Sequence, residues 1–349
     1  MAILRRDIIK ILGLVSGALL LKACTNKNEA LDSWQPAYVK LEKEGKLTKR
    51  IERAYEILEK CKLCPNRCGV NRLKGERGIC RAPEKAMVYS HHPHFGEELP
   101  LTGQRGSGTI FFSNCSLRCV FCQNWPISHD GLGREVSDEQ LADMMLDLQR
   151  IGCHNINLVT PTHVMPNILG ATRIALLKGL HLPLCYNTSG YELPENIKLL
   201  DGIVDIYLPD LKFMDSEEAA RYNYVAASTY PEMAQESIIE MYRQVGDLVT
   251  DEHGIAQSGL MIRHLVMPNR VAGTDKFVKW VAENLSPGTY VNIMAQYRVE
   301  HKAFEYERIA RAITPEEFIE AMEWAMEASL TNLDLRSMAN LDIYRARLQ

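Results

Sequence analysis

Three cysteines fall within the stretch NCSLRCVFCQNW: Cys115, Cys119 and Cys122, spaced C-x3-C-x2-C. A disulfide uses two thiols and a structural zinc site usually uses four. Three thiols therefore leave one coordination position for something else; zinc completed by a histidine is the alternative. Upstream, CKLCPNRCGVNRLKGERGIC carries a complete set, Cys61, Cys64, Cys68 and Cys80, spaced C-x2-C-x3-C-x11-C. Four thiolates close a tetrahedral zinc site or hold an iron–sulfur cluster, and spacing does not separate the two. Two disulfides or four free thiols are the other readings, but spacing this tight favours a metal in a reducing compartment. Pro65, Gly69, Gly75 and Gly78 let the backbone turn around a small centre.

The elements that would carry these thiols can be read from the pattern around them. Leu47, Ile51, Tyr55 and Leu58 recur at helical spacing and predict a packing helix over Leu47–Glu59 that delivers the chain to Cys61. From Gly108 onward, short apolar or β-branched runs are expected as strands at Thr109–Ser113, Ile156–Val159, Leu182–Asn187, Ile203–Leu208, Leu260–Val266 and Tyr290–Ala295. Helices separate most of them. Ser137 with Gln140 makes a capping box before LADMMLDLQRIG. Pro166 and Pro231 open two more helices as first-turn prolines do. Thr274–Leu285 and Thr314–Leu330 complete the set, the last opened by Thr314 and Pro315. Strand–helix alternation makes a parallel sheet with helices outside. Six units fall short of eight, so the expected fold is α/β, a partial (β/α)6 barrel with a Cys-rich N-terminal extension. A doubly wound open sheet is the alternative.

In either fold, chemistry sits where strands end, and polar residues collect there. The three cysteines follow the first strand. Thr160 to His163 follow the second, and Asn187 with Thr188 end the third. Asp210 and Lys212 follow the fourth. Arg263 and His264 lie in the fifth, with Asn269 after it, and Gln296 and Tyr297 end the sixth. Each alone reads as a helix cap or a satisfied core residue; their shared rim makes the joint case for a site.

C-x3-C-x2-C on a loop after the first strand of a βα array resembles the signature of the radical S-adenosylmethionine superfamily. The resemblance implies that Cys115, Cys119 and Cys122 hold three irons of a 4Fe–4S cluster. The fourth iron is then left to the amino and carboxylate groups of S-adenosylmethionine. Phe121, one residue before the third cysteine, matches the family's adenine-side aromatic. Within the superfamily, YNTSGYE and YLPDLKF resemble strand motifs of proteins related to pyruvate formate-lyase activating enzymes, over most of Cys61–Leu330. This implies that Asn187, Thr188, Asp210 and Lys212 lie near S-adenosylmethionine or the reacting centre, with His264 and Gln296 as further candidates. The family's Gly-Gly-Glu stretch reads LVTPTH here, so Thr160, Thr162 or His163 would take its place. Implied partners are an electron donor such as a flavodoxin or ferredoxin, and a glycyl-radical enzyme or other peptide substrate. Action on a small molecule is the alternative substrate reading. The alternative of another class is a metal-holding or electron-transfer protein without turnover.

Other functions are disfavoured by bulk properties. A net charge of −4 and 7% aromatic residues give no case for a nucleic-acid partner. The first 24 residues differ in kind from the rest. Arg5 and Arg6 precede the apolar run ILGLVSGALLL and then LKAC, Leu21–Cys24. The run spans roughly 16 Å as helix, short of a bilayer core of about 30 Å. It resembles a twin-arginine signal with a lipoprotein box, although Lys22 is unusual there; a retained amphipathic leader is the alternative. The expected division is a leader over 1–24, the extension over 25–104, the barrel over 105–300 and a helical region over 301–349. The protein is accordingly expected in the cytoplasm, or exported and lipid-anchored if the leader works as a signal.

Overall fold

The computed structural model describes residues 34–224 and 227–348; the leader expectation lies outside them. Among the described residues no helix is long and apolar enough to cross a membrane. The compact unit that carries the site begins at Pro36.

Its frame is one sheet. Six strands run parallel in the order β2 (Ser107–Phe112), β4 (Ile156–Val159), β5 (Leu184–Thr188), β6 (Ile206–Pro209), β8 (Ala256–Leu265) and β9 (Tyr290–Met294). These are the six strands expected from sequence, shifted by up to four residues at their ends. β1 (Ala86–His94) pairs antiparallel with β2, β3 (Arg134–Val136) with β1, and β7 (Val249–Thr250) with β8. Among the described residues β9 pairs with no strand other than β8, its far side holding only an isolated bridge from Val291 to Leu333, so the sheet is an open, partial barrel. β1 was not expected. Its AMVYSHHPH run is polar, holds a proline and is mostly half-buried, as suits a strand near a sheet margin. The sheet therefore begins inside the segment assigned to the extension.

Helices pack outside. Ser137 and Gln140 form the expected capping box on Asp138–Ile151, and Thr314 and Glu317 form another on Pro315–Glu327. The helix expected over Leu47–Glu59 ends at Glu56, and its last turn, Ile57–Lys60, tightens to a 3-10 helix as the chain enters Cys61.

Parallel neighbours point the same way, which sorts the strand residues into two cores. The large one lies between sheet and helices. The small one joins Cys185, Leu208 and Met261 from the concave face of the sheet to Leu101 of the short helix Leu99–Thr102. Leu101 thus fills one end of the barrel interior. Above it the same inward positions turn polar: Asn187 continues from Cys185, Asp210 from Leu208 and Arg263 from Met261. Asp210 stands opposite Arg263, and Arg263 opposite Asn292.

Candidate active site

The three-cysteine loop leaves β2 and is clamped on both flanks. Asn114 and Arg118 adopt left-handed backbone with φ of 74° and 53°. Val120 N–H donates to Tyr222 O at 2.9 Å, and Tyr224 N–H donates to Arg118 O at 3.1 Å. Lys302 N–H donates to Val120 O from the C-terminal side at 2.9 Å. Cys115, Cys119 and Cys122 all line one cavity of about 230 Å³ at the ends of the parallel strands. Leu117 N–H points at the Cys115 sulfur at 3.4 Å, and Ser128 Oγ lies 3.1 Å from the Cys122 sulfur. Burial pushes all three thiols above their ordinary pKa. A bound metal ion would replace those protons, since a coordinated thiol is deprotonated. Three thiols on one cavity, with no fourth among its lining residues, fit a cluster that keeps one iron open.

Facing the cysteines is a buried chain of charges. Arg263 Nε donates to Asp210 Oδ1 at 2.9 Å, Nη1 to Glu97 Oε2 at 3.1 Å, and Nη2 to Asn187 Oδ1. Lys212 Nζ donates to the other Asp210 oxygen. Burial alone would push Asp210 up, but Arg263 and Lys212 together hold it below the usual carboxylate range. Asp210 and the Cys119 sulfur in turn outweigh burial at Lys212 and keep it charged. Glu98, beside Glu97, accepts from Asn292 Nδ2 at 2.7 Å; burial raises its pKa, and its second oxygen has no partner. A cation pair held by carboxylates beside three thiols suits the carboxylate and amino groups of an amino-acid ligand.

Of the residues expected at the cofactor, Phe121, Thr160, Asn187, Thr188, Asp210, Lys212 and Gln296 line this cavity. Phe121 is wedged against Phe213 and Tyr297, with ring centroids 5.9 and 6.1 Å away. Gly190, after Thr188, has φ 79°, and a Cβ there would lie 2.3 Å from Asp210 O; only glycine lets the third- and fourth-strand loops meet.

His163 and His264, also expected at the cofactor, are placed elsewhere. Neither lines the cavity. Burial lowers the pKa of each to about 4, so both rings are neutral. His163 Nε2–H donates to Ser113 O at 2.7 Å, holding the residue two places before Cys115. His264 Nδ1–H donates to Leu211 O at 2.6 Å and its Nε2 accepts from Thr274 Oγ1 at 2.9 Å, while the ring stacks on Phe277. Each histidine grips the backbone next to a site residue from the helix side. Thr162 is likewise turned away, donating to the buried Glu192 at 2.6 Å; Thr188 donates to the same oxygen.

Sequence reasoning placed Arg263 at the rim but gave it no part in holding the ligand, although an arginine amid MIRHLVM was the signal. It missed Glu97 and His129. His129 Nε2 sits 3.0 Å from Cys119 O and reaches back across the loop.

The second cysteine set lies next door. Cys61, Cys64, Cys68 and Cys80 are not joined by disulfides in the structure. Cys61, Cys64 and Cys80 are buried, and burial raises the pKa of each. The field of Cys68 and Cys80 reaches Cys61, and that of Cys115 reaches Cys80. A Cβ on Gly78 would stand 2.3 Å from the Cys68 sulfur, so the loop leaves sulfur room that any side chain would fill. Arg72, 1% exposed, donates from Nε to Pro83 O at 3.0 Å and from Nη1 to His163 O at 2.7 Å. That clips the quartet loop to the barrel. Four thiols are the donor chemistry that zinc or a cluster takes. Among the described residues, no three His, Cys, Asp or Glu side chains in either cysteine set converge at the spacing for a single ion.

Parallel strands that end at a three-thiol cavity define a class. The family model described as the radical SAM superfamily matches residues 109–252. The uncharacterized protein MJ0674 of Methanocaldococcus jannaschii is 34% identical over 302 residues, covering 84% of this chain and 81% of that protein. The solved structure of native anSMEcpe with bound AdoMet is similar with a TM-score of 0.42 and 13% identity, over 62% of this chain and 57% of that one. The chain belongs to the radical SAM superfamily, which implies a 4Fe–4S cluster and S-adenosylmethionine.

Proposed function

We propose that this protein reductively cleaves S-adenosylmethionine and abstracts a hydrogen atom from a substrate at the mouth of the cavity. The observation that carries the reading is the set of three thiols on one cavity with Asp210, Lys212 and Arg263 across from them. Cys115, Cys119 and Cys122 would hold the cluster. When bound, the cluster and S-adenosylmethionine supply one-electron cleavage to methionine and a 5′-deoxyadenosyl radical. The chain's part is placement and exclusion of water. Asp210 and Lys212 receive the charged amino-acid end of the ligand, Arg263 keeps both in position, and Phe121 borders the adenine side. The quartet is a second metal centre, zinc or an auxiliary cluster, packed against the first loop.

For the hydrogen donor, the YNTSGYE and YLPDLKF motifs favour a glycine of a glycyl-radical enzyme. A second reading, another peptide or a small molecule, is favoured by a specific difference. Where the activating enzymes carry Gly-Gly-Glu, this chain places Thr160 at the cavity and turns Thr162 and His163 away from it.

The test is anaerobic reconstitution and reduction with S-adenosylmethionine, measuring 5′-deoxyadenosine. Wild type should form it and Cys119→Ala should not; an equal rate in the variant would sink the radical reading. No product from the wild type would favour a metal-holding or electron-transfer protein. An EPR-visible glycyl radical on an added glycyl-radical enzyme would decide for the activase.

A further inference from the structure

We propose that the shallow concavity formed by Gly78, Ile79, Arg81, Arg118 and Tyr224 is the docking surface for a small acidic one-electron carrier protein. The inference rests on the radical reading, which requires an electron from outside the chain for each cleavage. It adds where that electron enters.

Position is the first argument. Arg118 lies between Cys115 and Cys119, and Gly78, Ile79 and Arg81 flank Cys80. The concavity is thus the place where the loops of both cysteine sets reach solvent together. Arg118 lines the thiol cavity as well as this surface, so one side chain separates the two. Asn66 Nδ2 donates to Ser116 O at 2.7 Å, fastening the quartet loop against the other just behind it.

Charge is the second. The neighbouring Arg67 and Arg77 are paired with Glu195 and Glu135. Among the described residues, Arg81 and Arg118 have no ion-pair partner. Arg118 is 7% exposed, its Nε has no hydrogen-bond partner, and its guanidinium lies over the Tyr224 ring at 4.3 Å. Two neighbouring arginines without an ion-pair partner make a locally basic spot that an acidic surface would complement.

The third is the patch centre. Ile79 and Tyr224 are 38% and 61% exposed, an apolar middle beside the exposed Arg81, with Arg118 buried beneath it, as suits a transient docking surface. In the docked step no bond forms or breaks. One electron leaves the reduced flavin or iron–sulfur centre of the carrier, which departs oxidised by one electron, and the centre held by Cys115, Cys119 and Cys122 is reduced by one.

The experiment measures 5′-deoxyadenosine formation by the reconstituted full chain, driven either by dithionite or by reduced flavodoxin. Arg81→Glu should keep its dithionite rate and lose about tenfold or more of its flavodoxin rate at low salt. Arg81→Lys should retain the flavodoxin rate, and added salt should slow flavodoxin-driven turnover of the wild type. A flavodoxin rate in Arg81→Glu equal to wild type would overturn the docking surface. Equal loss with both reductants would overturn it too, by assigning Arg81 to the fold. No product from the wild type with dithionite would instead bring down the radical reading on which the inference stands.

Discussion

Asn66 Nδ2 donates to the Ser116 carbonyl at 2.7 Å, so the loop of four cysteines is tied to the loop of three by one side chain. On the proposed reading the two sets hold separate centres. Cys64→Ala should therefore lower metal content by one centre and leave the S-adenosylmethionine-responsive EPR signal of the other. Iron and zinc analysis of anaerobically purified protein identifies which metal leaves. Loss of both centres together would mean that the quartet supports the barrel itself.

Gly78 tests the same pocket by filling it. An alanine Cβ would lie 2.3 Å from the Cys68 sulfur and 3.3 Å from Val70 Cγ2. Overpacking of this kind costs about 1–3 kcal/mol, here set against the geometry of one thiol. Gly78→Ala should lose the quartet's metal more readily to a chelator than wild type while keeping the other centre. Equal metal retention in a chelator titration would show that the loop opens to accommodate the methyl group.

The charge chain opposite the thiols gives a third prediction. Removing the cation with Arg263→Met leaves Glu97 without its ion-pair partner and Asp210 with Lys212 alone. Breaking a buried pair from one side costs about 3–5 kcal/mol. Anaerobic urea unfolding should show that loss, and equilibrium binding of S-adenosylmethionine should weaken by about tenfold or more, since Asp210 loses its orientation. Arg263→Lys keeps charge without the planar fork and should fall between. Wild-type affinity in Arg263→Met would remove this chain from the site.

How far the sequence reached follows from where each signal lay. Six parallel strands were legible because β-branched runs and first-turn prolines repeat with the helices between them. β1 was not, because His91, His92, Pro93 and His94 mask a strand whose hydrogen bonds come from β2, more than ten residues away. The thiols were legible from spacing alone. Arg263 was visible as a charge within a strand, but its meaning depends on Glu97, which is distant in sequence and reaches it only because Leu101 plugs the barrel end. His264 was misplaced by a one-residue alternation: Arg263 faces inward, so its neighbour must face the helices.

Glu192 carries the last prediction. It is 1% exposed and accepts from both Thr162 and Thr188, tying the second-strand loop to the cavity wall. Burial outweighs these hydrogen bonds and raises its pKa from 4.5 to about 7. The folded protein therefore holds a proton there, between pH 4.5 and 7, that the unfolded chain has released. Stability from this residue falls as pH rises through that window and levels off above it. Between pH 5.5 and 8 the loss is on the order of 2 kcal/mol. Glu192→Gln cannot ionise and should lack that part of the decline. Asp205, also raised to about 7 by burial, adds a slope of the same sign, but it is present in both proteins and cancels in the comparison. Urea unfolding midpoints at pH 5.5 and 8 should thus converge more in Glu192→Gln than in wild type. Parallel profiles for the two proteins would mean that Glu192 is already ionised at pH 5.5, with Thr162 and Thr188 enough to hold its charge in the interior.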